Sequence, residues 1–134
     1  MSEARQARIV PPGGGRSYPM GRIEAVFKAD RAETANLYSL SEWRLEPRTA
    51  GPGAHAHDDE HLFYVLEGVL SVLAGEEWSE APAGSCIIVP GGTPHNFENR
   101  GDAPAAFLSF NVPGGFEARM EDIAPALAAE DLRL

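Results

Sequence analysis

The chain has 134 residues, a net charge of −9 and a single cysteine. That length suits one domain around one core of ordinary size, and the acidic balance argues against nucleic acid and anionic membranes, which would need a basic patch. No run approaches the ~20 apolar residues of a membrane helix, the N-terminal stretch lacks the apolar core of a secretory signal, and a lone cysteine closes no internal disulfide, which together point to the cytoplasm.

In chain order, residues 1–19 are rich in Pro and Gly toward their end and read as a loosely ordered N-terminal arm. Residues 20–134 read as one domain of short strands punctuated by Gly and Pro. Candidate strands cover 23–28, 36–46, 53–57, 62–66, 69–73, 76–80, 85–89, 95–98 and 105–112. Leu66-Glu-Gly-Val69 and Leu73-Ala-Gly-Glu76 have the form of tight hairpin turns. Pro90-Gly-Gly-Thr-Pro94 is a rigid turn that sets where His95 enters its strand. The apolar pattern of 36–46 keeps no single parity, so it assigns neither Tyr38 nor Trp43 to a face. Cys86 stands in the apolar run CIIV and reads as a small buried hydrophobe. Helical spacing comes late, over 115–129, with Phe116, Met120, Ile123, Ala124 and Leu127 on one stripe and Pro125 interrupting it. Many short, evenly spaced strands predict an all-β sandwich or barrel with a short C-terminal helix.

The four histidines carry the chemistry. His55, His57 and His61 lie within seven residues of one another, and His95 follows the rigid turn. Neutral imidazole is the commonest side-chain ligand for transition metals. Residues two apart in an extended strand share a face, so His55 pairs with His57, His61 with Phe63, and His95 with Phe97. Four imidazoles from separate strands can therefore converge inside a closed sheet, with Phe63 and Phe97 beside them as pocket residues. Asn99 reads as a turn-holding residue.

Two segments resemble the two motifs of the cupin superfamily. Gly84, Pro90, Gly92, His95 and Asn99 reproduce the second motif at every spacing. His55, His57 and Gly68 match the first, whose leading Gly is replaced by Thr49. Fifteen residues separate the motifs, near the family's short limit. The position of the family's Glu ligand is held here by His61. Glu60 is one residue off, and that offset turns a strand side chain to the other face. His61 rather than Glu60 is therefore assigned to the metal, as in small single-domain cupins of the four-histidine subgroup.

The resemblance implies a double-stranded β-helix, or jelly-roll barrel, with one divalent transition metal ion held by His55, His57, His61 and His95. It favours Phe107, Ser109 and Asn111 as further pocket lining, and a homodimer. Fe or Mn with a small-molecule ligand would make a dioxygenase of an aromatic or 1,3-dicarbonyl compound. Zn, Ni or Cu are the other candidate ions; Zn or Ni would suit a non-redox isomerase or decarboxylase, and a module that binds metal or ligand without turnover is a further alternative. The sequence names no catalytic residue beyond the ligands.

Overall fold

The computed structural model describes residues 5–134. Among the described residues, nine strands form two antiparallel sheets. The larger is built from β1 (Arg16–Met20), β2 (Ile23–Ala29), β3 (Ser39–Leu45), β9 (Ala105–Val112), β4 (Glu60–Glu67) and β7 (Cys86–Val89), in that spatial order. The smaller is β6 (Glu77–Pro82), β5 (Val69–Ala74) and β8 (His95–Glu98). A four-residue helix, α1 (Arg31–Thr34), links β2 to β3. A 3-10 turn (Phe116–Arg119) leads into α2 (Met120–Ala128).

Alternation explains the layering. On β4, His61, Phe63 and Val65 are buried while Leu62, Tyr64 and Leu66 face out. On β9, Phe107, Ser109 and Asn111 are buried while Val112 is exposed. On β3 the inward set is Ser39, Ser41, Trp43 and Leu45, which gives Trp43 the face that its sequence context leaves open. Register binds these faces together: His61 is opposite Asn111, Phe63 opposite Ser109 and Trp43 opposite Phe107. The apolar inner faces close over Met20, Ile23, Phe27, Leu45, Val65, Leu70, Val89 and Phe107. Each such side chain contributes about 1.5–3 kcal/mol on burial.

Several elements depart from expectation. Arg16–Met20, which begins inside the expected arm, pairs along its whole length with β2 and forms an edge of the large sheet. Pro19 is tolerated there because an edge strand leaves one row of backbone groups unpaired. Residues 53–57 form no strand; only His55 pairs, in an isolated bridge to His95. Pro125 lies inside α2 and does not end it. Cys86 is exposed, not buried: β7 borders the large sheet and its alternate residues, Cys86 and Ile88, point outward. None of the described helices is long and apolar enough to cross a membrane.

The turn at 66–69 shows why glycine is needed. Gly68 has φ +71°, and a Cβ on it would collide with the Pro104 carbonyl oxygen. Asn99 does hold a turn: its amide donates to the carbonyls of Glu46 (3.0 Å) and Ala103 (2.8 Å), while its oxygen accepts from Gly101 N (3.1 Å).

Candidate metal centre

All four histidines arrive at one end of the barrel. His61 comes from β4 and His95 opens β8. His55 and His57 come from the loop before β4, which is tied down by backbone bonds from His55 N to His95 O (3.1 Å), from His95 N to His55 O (2.8 Å) and from Gly92 N to His57 O (2.6 Å). Gly51 lets that loop pass close to β8, since a Cβ there would run into the Phe97 carbonyl and the Asn96 side chain. Ring centroids are 4.4 Å apart for His55 and His95, 4.8 Å for His55 and His57, 4.7 Å for His61 and His95, and 5.0 Å for His57 and His61.

The nitrogens sort into two overlapping groups. Those of His55, His57 and His95 lie within 4.8 Å of one another, as do those of His57 and His61 with a carboxylate oxygen of Asp59. His55 and His95 each aim Nδ1 at the carbonyl two residues earlier, Gly53 at 2.7 Å and Thr93 at 2.9 Å. That bond takes the ring hydrogen and leaves the Nε2 lone pair for another partner. Nε2 of His57 and of His95 is buried with no hydrogen-bond partner. Buried polar atoms are rarely left unpaired, and orphaned imidazole nitrogens converging on one point are what a divalent transition metal ion would satisfy. The donor set therefore fits a metal.

Burial keeps the imidazoles of His57, His61 and His95 neutral, the form that ligates. It pulls His61 down to about 3, with the neighbouring His95 acting in the same direction and Asp59 opposing. Burial likewise lowers His95 and His57, and the Arg119 charge adds to the effect on His57. Asp59 is buried too, which pushes its carboxyl upward. The Asn111 amide, His61 and the Arg119 guanidinium outweigh that and hold it below the usual range. Glu60 is exposed while His61 is 4% exposed.

Above the imidazoles lies a cavity of about 260 Å³. Phe63, Phe97, Phe107 and Ser109 line it, together with Trp43, Pro52, Phe116, Ile123 and Leu127. Asn111 does not line it: its Nδ2 donates to Asp59 Oδ2 (2.9 Å) and lies 2.8 Å from His61 Nδ1, and its Oδ1 accepts from Ser109 (3.1 Å). Four residues were open to sequence reasoning without being singled out for the site. Asp59 shares parity with His57 and His61, while Phe116, Ile123 and Leu127 fall on the helical stripe. No local signal marks Arg119, whose 3.3 Å contact to Asp59 spans sixty residues of sequence.

Known proteins resemble this chain in sequence or in fold. The uncharacterized protein MJ1618 of Methanocaldococcus jannaschii is 35% identical over 60 residues, which span 44% of this chain and 48% of that protein's length. KdgF from Halomonas sp. superposes with a TM-score of 0.73 at 13% identity, covering 84% of this chain and 99% of that one. The polyketide cyclase RemF from Streptomyces resistomycificus superposes with a TM-score of 0.68 at 23% identity, covering 80% of each chain. The Cupin_2 cupin domain matches residues 41–111, more than half of the chain and both histidine segments, and the protein therefore belongs to the cupin family.

Proposed function

We propose that His55, His57, His61 and His95 bind one Fe or Mn ion and that the protein is a small dioxygenase acting on a single-ring aromatic or an acyclic 1,3-dicarbonyl compound. The observation that carries this reading is the cavity lining. Apart from the imidazoles, none of the thirteen lining residues is Asp, Glu, Lys, Cys or Tyr. Once the histidines are committed to metal, the pocket keeps no side chain that takes up a proton near neutral pH. Isomerisation of a neutral substrate by proton transfer needs such a base or acid. Oxygenation of a substrate that binds already ionised does not.

The rest of the site suits such a substrate. Four neutral ligands leave the ion's positive charge uncompensated, which favours a catecholate or an enolate. The apolar walls exclude water and strengthen that attraction. Trp43, Phe63, Phe97 and Phe107 pack against one another at ring-centroid separations of 4.9–6.3 Å and offer flat apolar surface to a planar ligand. The volume, about 260 Å³, lies below the ~300–1,000 Å³ of pockets for drug-sized ligands, so one ring fits better than a flavonol. The Ser109 hydroxyl gives its proton to Asn111 (3.1 Å) and keeps its lone pairs for a substrate hydroxyl. A bound Fe or Mn ion would supply Lewis-acid polarisation and electron exchange between substrate and dioxygen.

The test is metal analysis of untagged protein purified without added metal, followed by oxygen uptake with catechols and small 1,3-diketones. Uptake that rises with Fe or Mn content is the expected result. A full equivalent of Zn with no uptake on any of these compounds overturns the oxygenase and favours the non-redox reading.

A further inference from the structure

The four imidazoles are not held alike. A neutral imidazole has one hydrogen and one lone pair. His55 and His95 spend the hydrogen on a backbone carbonyl, and His57 and His95 present a buried, unpartnered Nε2. In His61 both nitrogens face protein partners. Asn111 Nδ2 is 2.8 Å from Nδ1 and 3.1 Å from Nε2, and Asp59 Oδ2 is 3.5 Å from Nε2. The orientation of the Asn111 amide is fixed from both ends, because Nδ2 donates to Asp59 and Oδ1 accepts from Ser109. An amide N–H facing the ring calls for the ring's lone pair. A carboxylate facing it calls for the ring's hydrogen. With its lone pair engaged by Asn111 and the Asp59 carboxylate 3.5 Å from Nε2, neutral His61 has no free lone pair for an ion. Asp59 is itself steadied by Arg119 Nη1 at 3.3 Å, from the turn that leads into α2.

We infer that His55, His57 and His95 form the permanent part of the metal centre, and that His61 is its exchangeable ligand, held aside by Asn111 and Asp59. This rests on the metal reading above and goes beyond it by dividing the four ligands into two kinds. Two arrangements of one side chain, each with its own partners, make a two-state element. The share of His61 in the held-aside state lowers its contribution to metal affinity by that fraction. The exchange also frees one coordination position more than four fixed imidazoles would leave open on a six-coordinate ion. Removing the Asp59 carboxylate weakens the competing partner and moves His61 toward the metal.

Imidazole nitrogens of the unaltered protein can be followed directly by long-range 1H–15N spectra during titration with Zn2+, with no turnover involved. One equivalent should bring a nitrogen of His55, His57 and His95 fully to the metal-bound position and leave His61 averaged between free and bound. Asp59→Asn should shift His61 toward bound. In Zn2+ affinity, His61→Ala should cost less than about tenfold and His95→Ala more than about a hundredfold, because only the latter removes a permanent ligand. A His61 fully bound in the unaltered protein, or equal losses in the two alanine variants, overturns the inference and leaves the metal reading standing. Unaltered protein that takes up no Zn2+ overturns both.

Discussion

His61 shows how much one buried imidazole imposes on the molecule. In the folded chain it takes a proton only near about 3, chiefly because it is buried. In the unfolded chain it does so near ~6.5. Between those values the unfolded state holds more protons, so stability rises with pH. The metal-free protein is therefore expected to be fully stabilised above ~6.5 and to weaken as pH falls toward about 3. The depressed Asp59 adds a loss of the same sign at the acid end. Urea unfolding at pH 7, 5.5 and 4 in excess chelator measures this, and His61→Gln should flatten the curve. A flat curve for the unaltered protein would show that His61 titrates alike folded and unfolded. The same burial lets metal compete well against protons, so release of bound metal is expected to have its midpoint below ~6.5. At this scale the faces were legible where parity speaks: His61 turns inward and Glu60 outward, and Phe63 and Phe97 lie buried on the inner side. Asn111 was misread because parity gives a face and not a partner. It is on the inward face of β9, yet its amide is occupied by Asp59 and His61.

Among the elements, the connections were harder to read than the strands. The small β-bends and strand faces follow from alternation and glycine. The loop that carries His55 and His57 does not, because it is held by two backbone bonds to His95 and by the close passage of Gly51, neither of which has a local pattern. The junction of α1 with the C-terminal turn is of the same kind. Asp30 caps α1 at Arg31 N (2.8 Å) and also accepts from Gly115 N (2.5 Å) and Glu117 N (2.6 Å). One carboxylate, 2% exposed, thus joins segments eighty-five residues apart. Asp30→Ala should destabilise the protein by about 3 kcal/mol in urea unfolding, since it orphans several backbone donors at once. Asp30→Asn, which keeps an acceptor, should cost less than half of that. Equal costs would mean that packing, not hydrogen bonding, is what Asp30 supplies. Because the turn it anchors carries Phe116, the alanine variant should also enlarge the cavity and weaken discrimination by substrate size.

For the whole molecule, ligand and assembly act on stability together. Metal that binds only the folded chain stabilises it by about 2.7 kcal/mol at a hundredfold excess over Kd, which for a domain of this size raises Tm by about 10 °C. Chelator added at pH 8 should remove that increment, as differential scanning calorimetry would show; an unchanged Tm would argue that no metal is bound. The outer face of the large sheet has its own demand. Leu62, Tyr64, Leu66, Ile88 and Val112 stand exposed on three adjacent strands, and exposed apolar surface of this kind usually marks an interaction site. A homodimer closed by a twofold axis on this face is the expected state. Light scattering should give twice the 14.4 kDa chain mass, and a single-chain mass at micromolar concentration would refute it. Residues 16–20 belong to the sheet, so any deletion of the arm that is meant to spare the fold must stop before Arg16.

The exposed Cys86 gives that face a built-in reporter. It is the chain's single thiol, and it sits directly opposite Tyr64 in the pairing of β7 with β4. A disulfide-exchange dye can therefore attach at one place only, on the surface where a second copy would lie. In a dimer of this kind the colour should develop slowly at high protein concentration and faster on dilution, with Ile88→Lys giving the fast rate throughout. A spin label on the same sulfur would turn the two copies into a pair of electron spins, whose dipolar coupling gives the distance across the twofold axis.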